Sequence, residues 1–508
     1  MTHKVVVIGA GIGGLTTGAL LAQQGMDVTV LEANAYVGGC AGTFFHKGYR
    51  FDAGATVAGG FQDQAPHDKV GKQLGLEWNV HTYDPAWTVH LPDKTIPITS
   101  TNAEVEACFP HSKPFWEHQS KLAQIGWSLS AQGLPFPPTD AVEAWQLLKV
   151  GLQNLPDVIQ ASPFLLMSVY AWLRLYGLDR DQAFVRFIDA QLLISAQTTS
   201  KHTFALYGAT ALDLARQGVY HAQGGMGGIA EQLATRFEQL GGKILYKHRA
   251  THIETQQGKV TGVHYKRGLR SNQVEHLPCD FVVANVTPWT ANALLGTHAP
   301  RALQRESTQR SLGYGAFVLH LGVHEDAFPP DFADHHQFIR DMNSPLGEST
   351  SLFMSVSPRW DATRAPRGYR AVTVTTHTQV EAWWNQPNAT DYQARKAQYT
   401  QAFLDGIERY LPNFRQHVAL TLAGTPITYQ FYTGRHKGMV GGFPQTSLLT
   451  SRSPRMGIPN MRLVGDSIFP GQSTAGVTLG AVRVAQDVLR NTKTRASAVR
   501  VAPVRMEG

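Results

Sequence analysis

The sequence predicts an α/β fold in which a parallel sheet, built from distant segments of the chain, is interleaved with an α+β lobe. Short apolar runs typical of buried parallel strands occur at Val5–Ile8, Phe281–Ala284 and Met461–Val464. The first and last of these runs lead into glycine turns. The chain has 508 residues, of which 43% are hydrophobic and 16% charged, so it is long enough for two or three lobes with cores of their own.

The first strand, Val5–Ile8, begins a nucleotide-binding unit. A tight turn, close phosphate approach and close helix packing are provided by Gly9, Gly11, Gly13 and Gly14. The following helix stops near Gly25, and Val28–Leu31 form the second strand. Glu32 comes directly afterwards, where its carboxylate can accept hydrogen bonds from ribose hydroxyls. Because strand, helix and terminal acid are all present, we predict a Rossmann-type dinucleotide site and not a purely structural glycine turn.

A second glycine turn follows the unit. Gly38, Gly39 and Gly42 allow further backbone to approach an extended ligand, and Ala53 and Gly54 come after them. With these motifs the sequence resembles the FAD-containing superfamily of phytoene desaturases, carotenoid isomerases and amine oxidases. The resemblance implies that the dinucleotide is FAD. One position departs from the family pattern, because Cys40 stands where the glycine pair is often followed by Arg.

The segment Gly218–Tyr265 returns the chain to the cofactor lobe. Its glycines open a helix over Ile229–Leu240, a strand follows at Ile244–Tyr246, and a turn at Gly258 joins two more strands. The resemblance implies that backbone near Ala250 meets the adenine end of FAD. The alternative is a helix and strand without ligand contact.

The third cofactor segment lies near the C-terminus. Asp466 follows a strand and could hydrogen-bond the ribityl hydroxyls of FAD. A helix beginning near Gly476 and Val477 would direct its positive end at the flavin pyrimidine, where negative charge collects on reduction. The resemblance covers nearly the whole chain and implies an FAD-binding Rossmann-type domain of the amine oxidase and phytoene desaturase superfamily with an interleaved α+β substrate domain.

These segments divide the chain between the two domains. The FAD-binding domain is expected in three parts, and a helical substrate or membrane-associated part, a substrate-domain sheet and a basic tail take up the rest. The predicted boundaries are 1–100, 218–300 and 450–490 for FAD, 101–217 for the helical part, 301–449 for the sheet and 491–508 for the tail.

The substrate is predicted from the segment that precedes the last FAD motif. This segment looks like its counterpart in carotenoid desaturases and isomerases, which implies an apolar cavity beside the flavin. Glycine there permits close approach of a flat polyene. The expected lining residues are Tyr429, Phe431, Val440, Gly441 and Phe443.

Acid–base candidates are few, as expected where a flavin carries the chemistry. Arg435 and His436 invite such a role, although an Arg beside a glycine turn more often fixes the loop or meets a phosphate. Tyr220 and His221 are comparable, with packing as the alternative. No metal site is predicted, because the three cysteines form no CxxC pair and the chain has no HExxH motif.

Charge and hydropathy suggest a membrane surface as a partner. The net charge is +7 and the sequence pI about 9.2, but the basic residues are scattered, which argues against nucleic acid. They could face anionic lipid or simply solubilise the chain. The apolar stretch Phe164–Tyr176 is too short to span a bilayer, so it is predicted to insert at the interface, line a tunnel or pack in the core. The basic tail 491–508 is expected to be loose and to touch lipid.

The leading functional hypothesis is an FAD-dependent carotenoid desaturase of the C-3′,4′ type, found in the cytoplasm at the membrane periphery. The hydride would pass from an allylic carbon to flavin N5, and oxygen or a membrane quinone would reoxidise the flavin. A carotenoid cis–trans isomerase that uses reduced FAD is the nearest alternative. An amine oxidase and a flavin-free carrier of prenyl chains are more distant ones. No signal peptide is predicted, because the apolar N-terminus belongs to the glycine fingerprint.

Overall fold

The computed structural model describes residues 2–268, 271–386 and 388–499. Within them, a five-stranded parallel sheet forms the centre of one lobe. Its strands come from three distant parts of the chain, as the sequence predicts. In sheet order they are β19 (Met461–Leu463), β13 (Phe281–Ala284), β1 (Lys4–Ile8), β2 (Asp27–Leu31) and β9 (Lys243–Leu245).

Three helices pack together beside this sheet. The first, α1 (Ile12–Gln23), contacts both α11 (Gly227–Gln239) and α17 (Ser473–Val499). Its close approach to β1 requires glycine, because a Cβ on Gly14 would lie 2.2 Å from the carbonyl oxygen of Gly9. The apolar side chains of the sheet, such as Val7 and Val282, are fully buried in the same core.

A seven-stranded mixed sheet forms the second lobe. In sheet order it comprises β18 (Val418–Gly424), β14 (Tyr314–His324), β17 (Tyr369–Gln379), β16 (Ser351–Val356), β15 (His335–Ile339), β6 (Trp87–His90) and β7 (Thr95–Ile98). β6 and β7 precede residue 100, so this part of the predicted first FAD segment pairs with the second sheet. The reason is a long-range parallel pairing of β6 with β15.

A layer of helices lies between residues 103 and 212. It comprises α3 (Ala103–Cys108), α4 (Lys113–Ala131), α5 (Ala141–Gln153), α6 (Leu155–Ala161), α7 (Pro163–Leu166), α8 (Val169–Leu175), α9 (Gln182–Ala196) and α10 (Ala205–Leu212). Aromatic rings dominate its core, among them Phe115, Trp172 and Phe184. No helix in the described ranges is long and apolar enough to cross a membrane.

The remaining elements support the two lobes. They are the strand pairs β3 (Thr43–His46) with β4 (Tyr49–Asp52) and β5 (Val80–Thr82) with β8 (Tyr220–Ala222), the antiparallel sheet of β10 (His248–Gln256), β11 (Lys259–Arg267) and β12 (Val274–Pro278), and the helices α2 (Pro66–Leu74), α12 (Pro288–Leu295), α13 (Arg301–Gln309), α14 (Glu381–Trp384), α15 (Ala389–Glu408) and α16 (Pro426–Thr433). The predicted loose tail is helical up to Val499, because α17 continues past residue 491, and its last residues lie outside the described ranges.

Candidate cofactor and substrate site

A single cavity of about 1180 Å³ joins the glycine turns of the first lobe to the helical layer. One end is polar and lies at the carboxyl ends of β1 and β2, where α/β sheets bind their ligands. The other end is apolar and is enclosed by helices and the second sheet. Since drug-sized ligands fill roughly 300–1,000 Å³, this space is large enough for an extended ligand and a second one beside it.

The first glycine turn forms the floor of the polar end. Gly9, Gly11 and Gly13 all line the cavity, and Gly9 has a φ of +97°, which favours glycine. Gly11 is the N-cap of α1 and offers no side chain to cap the helix, so the first N–H groups are available to a ligand phosphate. Gly14 lies behind the turn against β1 and outside the cavity lining. The arrangement fits the pyrophosphate of a dinucleotide.

Glu32 stands at the end of β2 and is 6% exposed. Its carboxylate accepts hydrogen bonds from the backbone N–H groups of Ala10, at 2.9 Å, and Asn34, at 2.7 Å. Burial raises the pKa of this carboxyl, although the two N–H groups oppose that rise. The two carboxylate oxygens of Glu32 can accept further hydrogen bonds, which the hydroxyl groups of a bound ribose would donate. Ala250, at the start of β10, lines the cavity near this end.

The last cofactor segment closes the polar end from the opposite side. Asp466 follows β19, and Gly476 and Val477 lie in the first turn of α17, which begins at Ser473. A Cβ on Gly13 would lie 3.1 Å from the Val477 side chain. The three segments singled out from the sequence therefore converge on one cavity.

Arg435 bridges the polar and apolar ends. Its guanidinium pairs with Asp466 at 2.8 Å and donates to the carbonyl oxygens of Met439, at 2.7 Å, and Gly441. Burial alone would lower the pKa of Arg435, but Asp466 and Cys40 reverse the effect and raise it. Arg435 therefore stays charged and holds a loop, which is the alternative that the sequence left open beside an acid–base role.

Cys40 lies in the second glycine turn and faces the same guanidinium. Burial raises the pKa of its thiol, and the charge of Arg435 lowers it. Gly39 and Gly54 line the cavity beside it. Gly42 and Ala53 lie behind them, where the backbone N–H of Ala53 donates to the carbonyl oxygen of Gly42 at 2.9 Å.

The apolar end is formed mostly by residues that the sequence did not single out. They belong to helices and strands that are far apart in the chain, and examples are Trp87, Trp116, Trp127, Phe187, Leu193, Phe204, Leu206 and Phe353. Of the residues predicted to line the substrate site, Tyr429, Val440 and Gly441 also contribute. The buried Tyr429 hydroxyl donates to the carbonyl oxygen of Ala53.

A polar element crosses the apolar end. The Gln191 side-chain amide donates to the Gln337 carbonyl oxygen at 2.7 Å and accepts from the Trp87 indole at 2.8 Å. Gln337 in turn donates to the carbonyl oxygen of Ala190 at 2.9 Å. The two amides are hydrogen-bonded to each other and to their neighbours, so they fix the wall of the cavity and neither is left without a partner.

Two predicted lining residues lie elsewhere. The Phe431 ring is 53% exposed and packs on Tyr432, because it points outward from α16. Phe443 packs against Trp289 and under the guanidinium of Arg310, 3.7 Å from the ring centroid, and does not reach the cavity. Their spacing in the sequence could not distinguish the two sides of the segment.

The remaining acid–base candidates also lie outside the cavity lining. His436 stacks on Trp289 with centroids 5.4 Å apart. Tyr220 and His221 belong to β8, where Tyr220 packs on Phe61 and His221 stacks on Tyr83 at 4.1 Å. All three therefore have packing partners, and none borders the space where a ligand would react.

The helical layer presents a second, outward-facing apolar surface, which we call the outer apolar face. It is formed by exposed side chains of α5, α6 and α7: Val142, Trp145, Leu148, Leu152, Leu155, Ile159 and Leu166. The same helices turn Leu147, Val158, Ala161 and Leu165 toward the cavity. This layer is thus one helix thick between the cavity and the surroundings.

The stretch Phe164–Tyr176, for which the sequence left insertion, tunnel lining and core packing open, is partly buried, partly cavity lining and partly exposed. It breaks into α7 and α8, and Val169, Trp172 and Leu173 are fully buried. Leu165 lines the cavity and Leu166 is 85% exposed. Phe164 and the three residues of α8 therefore pack in the core, whereas Leu166 and Leu175 are exposed, and the outer apolar face begins earlier, at Val142.

Comparison with known proteins agrees with this geometry. The sequence matches the family of flavin containing amine oxidoreductases over residues 12–489. It is 28% identical to prolycopene isomerase 1 of an Oncidium hybrid cultivar, over 96% of this chain and 84% of that protein. It is 24% identical to a 4,4′-diaponeurosporene oxygenase of Staphylococcus aureus, strain bovine RF122 / ET3-1, over 97% and 100%.

A solved oxidoreductase from Methanosarcina mazei shares the fold, with a TM-score of 0.64 and 17% identity over 95% of this chain and all of that one. The family match confirms the predictions of FAD as cofactor and of an FAD-dependent oxidoreductase. It also agrees with the resemblance to the phytoene desaturase superfamily. The chain therefore belongs to the family of flavin containing amine oxidoreductases.

Proposed function

We propose that the protein is a carotenoid desaturase of the C-3′,4′ type. The observation that carries the proposal is the continuous cavity, which leads from the glycine turns to a long apolar space walled by aromatic side chains. A polyene is apolar, flat and elongated, and it would fit such a space. The names of the relatives support this substrate class, since one acts on prolycopene and another on diaponeurosporene.

The residues of this chain would bind and orient the substrate. FAD, when bound, supplies the acceptor at N5 for a hydride from the allylic carbon. The neighbouring carbon would lose a proton to solvent as the new double bond forms, and the two electrons would be passed on to oxygen or a membrane quinone. Arg435 and Tyr429 would not move this proton, because the pKa of each is raised above its ordinary value. We assign them to positioning of the loop beside the reacting carbon.

Isomerisation is a second candidate function, favoured by the prolycopene isomerases at 27% and 28% identity. It would use the same cavity with reduced FAD and without net oxidation. An amine oxidase is less well supported, because the acids among the described lining residues are Glu32, Asp63 and Asp466, and none lies in the aromatic part. A flavin-free carrier of prenyl chains would not need the buried carboxylate of Glu32.

We further propose that an anionic membrane surface delivers the substrate. A carotenoid dissolves in lipid, and the outer apolar face lies on the helices that also wall the cavity. Lys149 is exposed on α5 beside that face and would meet anionic headgroups. The helices could therefore rest on the bilayer while the substrate passes between them.

Product mass separates these functions. The purified, FAD-loaded protein is incubated without oxygen with a hydroxylated monocyclic carotenoid in lipid vesicles. A desaturase yields a product lighter by two hydrogens, a longer polyene chromophore and bleached flavin absorbance. An isomerase yields an unchanged mass and requires prior reduction of the flavin. If no product forms with oxidised or reduced flavin, both proposals fail.

A further inference from the structure

Three histidines form a row across the small antiparallel sheet. His252 on β10 is paired with His264 on β11, and His264 with His276 on β12. The ring centroids lie 5.7 Å apart in the first pair and 4.7 Å apart in the second. Their neighbours Ile253 and Val263 are fully buried, so the histidines occupy the opposite, outward face of the sheet.

Glu254 joins this row from the same face of β10. Donor atoms of Glu254, His264 and His276 all lie within 4.8 Å of one another. His276 Nε2 is already 3.1 Å from Glu254 Oε2. The Thr261 hydroxyl donates to that same oxygen at 3.0 Å and so orients the carboxylate. The group is therefore partly ordered without any ion.

Gly262 makes room for the cluster. It is paired with Glu254 in the sheet and follows Thr261 on β11. A Cβ at this position would lie 2.1 Å from His276 Nε2, so any other residue would displace the imidazole from the carboxylate. The glycine thus has a steric role that is specific to the position of His276.

We propose that Glu254, His264 and His276 bind a divalent transition-metal ion of the zinc class. Two imidazoles and one carboxylate are a donor set that zinc accepts, with ligand bonds of about 2.0–2.2 Å. Tetrahedral ligands at those bond lengths are about 3.3 Å apart, which is close to the 3.1 Å between His276 and Glu254. The donor atom of His264 lies within 4.8 Å of both and would move closer on binding. A water molecule or His252 completes the shell.

The site would brace the edge of the cofactor lobe. β10 begins at His248, and His248, Arg249 and Ala250 line the polar end of the cavity. A metal ion held by Glu254 would tie β10 to β11 and β12 four residues beyond Ala250. The proposal does not depend on the reaction that the enzyme catalyses.

The sequence predicts no metal site, because the known metal-binding motifs consist of ligands that are close together along the chain. Here Glu254, His264 and His276 are spread over three strands. Their donor atoms come together only because the register of the strands places the three side chains on the same face of the sheet. Cross-strand pairing of polar residues on a solvent face would have been the signal to look for.

Binding of zinc to the full-length, FAD-loaded protein tests the proposal. Competition with a chromophoric chelator measures the affinity, and cobalt substitution reports the coordination through visible absorption. We expect one zinc per chain, with affinity lowered more than about tenfold in His264→Gln and His276→Gln, since even the supporting contacts of a metal site contribute 10–100-fold. Zinc should also raise the thermal midpoint of the wild type and not of these variants.

The matched control is His298→Gln, which removes an exposed histidine outside the sheet. It should bind zinc as the wild type does. Flavin absorbance checks that each variant is folded. The proposal would be overturned if the wild type and the three variants bound zinc with equal affinity, or if only His298→Gln abolished binding. A lack of zinc binding by the wild type would overturn it as well.

Discussion

At the scale of the residue, Glu32 is a buried carboxylate whose ionised form is stabilised by additional hydrogen-bond donors. Burial raises its pKa, which means that ionisation is unfavourable until hydrogen bonds compensate for lost water. Two backbone N–H groups supply part of that compensation. Ribose hydroxyls from FAD would supply more, because hydrogen bonds to a charged acceptor are the stronger kind.

The variant Glu32→Gln should therefore bind FAD more weakly. Loss of a hydrogen bond to a charged group costs about 1.5–3 kcal/mol, so we expect the Kd to rise roughly 10- to 150-fold. Titration of the apoprotein with FAD, followed by flavin fluorescence, measures this change. Glu238→Gln, on the exposed surface of α11, serves as control and should bind like the wild type. Equal affinities for the two variants would contradict the assignment of Glu32 to ribose.

The glycine turns and Glu32 could be located from the sequence, because the pattern that marks them is formed by neighbours along the chain. Arg435 was harder to interpret. Its partners Cys40 and Asp466 lie at opposite ends of the chain, and nothing local indicates that all three meet. The structure brings a guanidinium beside Cys40, at a turn where the family pattern often has Arg in place of this cysteine. Which residue provides a positive charge there can be known only from the fold.

At the scale of the element, α5 shows what periodicity can and cannot reveal. Val142, Trp145, Leu148 and Leu152 recur at helical spacing, which the sequence pattern shows. Such a stripe normally predicts a buried face. Here these side chains are exposed, because the opposite side of α5 carries Glu143 into the interior. Burial depends on the partners of a helix, which its own sequence does not contain.

If the outer apolar face binds lipid, the double variant Trp145→Ser, Leu152→Ser should lose membrane affinity. The two side chains are 65% and 60% exposed, so the fold should tolerate the change. Burying one large apolar side chain contributes about 1.5–3 kcal/mol, and we expect binding to phosphatidylglycerol vesicles to fall at least about tenfold. Cosedimentation measures the bound fraction.

The control for this test is Phe45→Ser, an exposed aromatic outside the helical layer with 70% exposure. It should bind vesicles like the wild type. If the double variant and this control bind equally well, the outer apolar face is not the membrane contact. Flavin content and thermal midpoint establish that the double variant remains folded.

At the scale of the whole molecule, the interleaved order of segments was predictable but their exact boundaries were not. The glycine and acid motifs locate three cofactor segments along the chain, and all three converge on one cavity. The pairing of β6 with β15, by contrast, joins residues nearly 250 positions apart. Such pairing follows from the packing of the complete second sheet, so the boundary predicted at residue 100 could not account for it.

The helical layer is joined to the cofactor lobe by a buried ion pair that no sequence motif indicates. Glu143 on α5 accepts from Arg483 on α17 at 2.9 Å, and Arg490 lies at 3.3 Å. Burial alone would raise the pKa of Glu143, but Arg483 and Thr139 reverse this and lower it to about 2. The helix that carries the outer apolar face is thereby fixed to the cofactor lobe.

This pair gives stability a defined dependence on pH. The folded pKa of about 2 lies below the ordinary value of 4.5, so the stabilisation is present above pH 4.5 and is lost as the pH falls toward 2. Glu143→Gln removes the negative charge that faces Arg483 and Arg490. For a buried pair this loss lowers the free energy of unfolding by roughly 3–5 kcal/mol at neutral pH. The thermal midpoints of the variant and the wild type should thus differ most at pH 7 and converge below pH 4.5.

The control is Glu117→Gln, which changes an exposed residue on α4 and should show no such convergence. A difference in midpoint that stays constant from pH 7 to about pH 3 would mean that Glu143 is not the titrating link between the helical layer and the cofactor lobe.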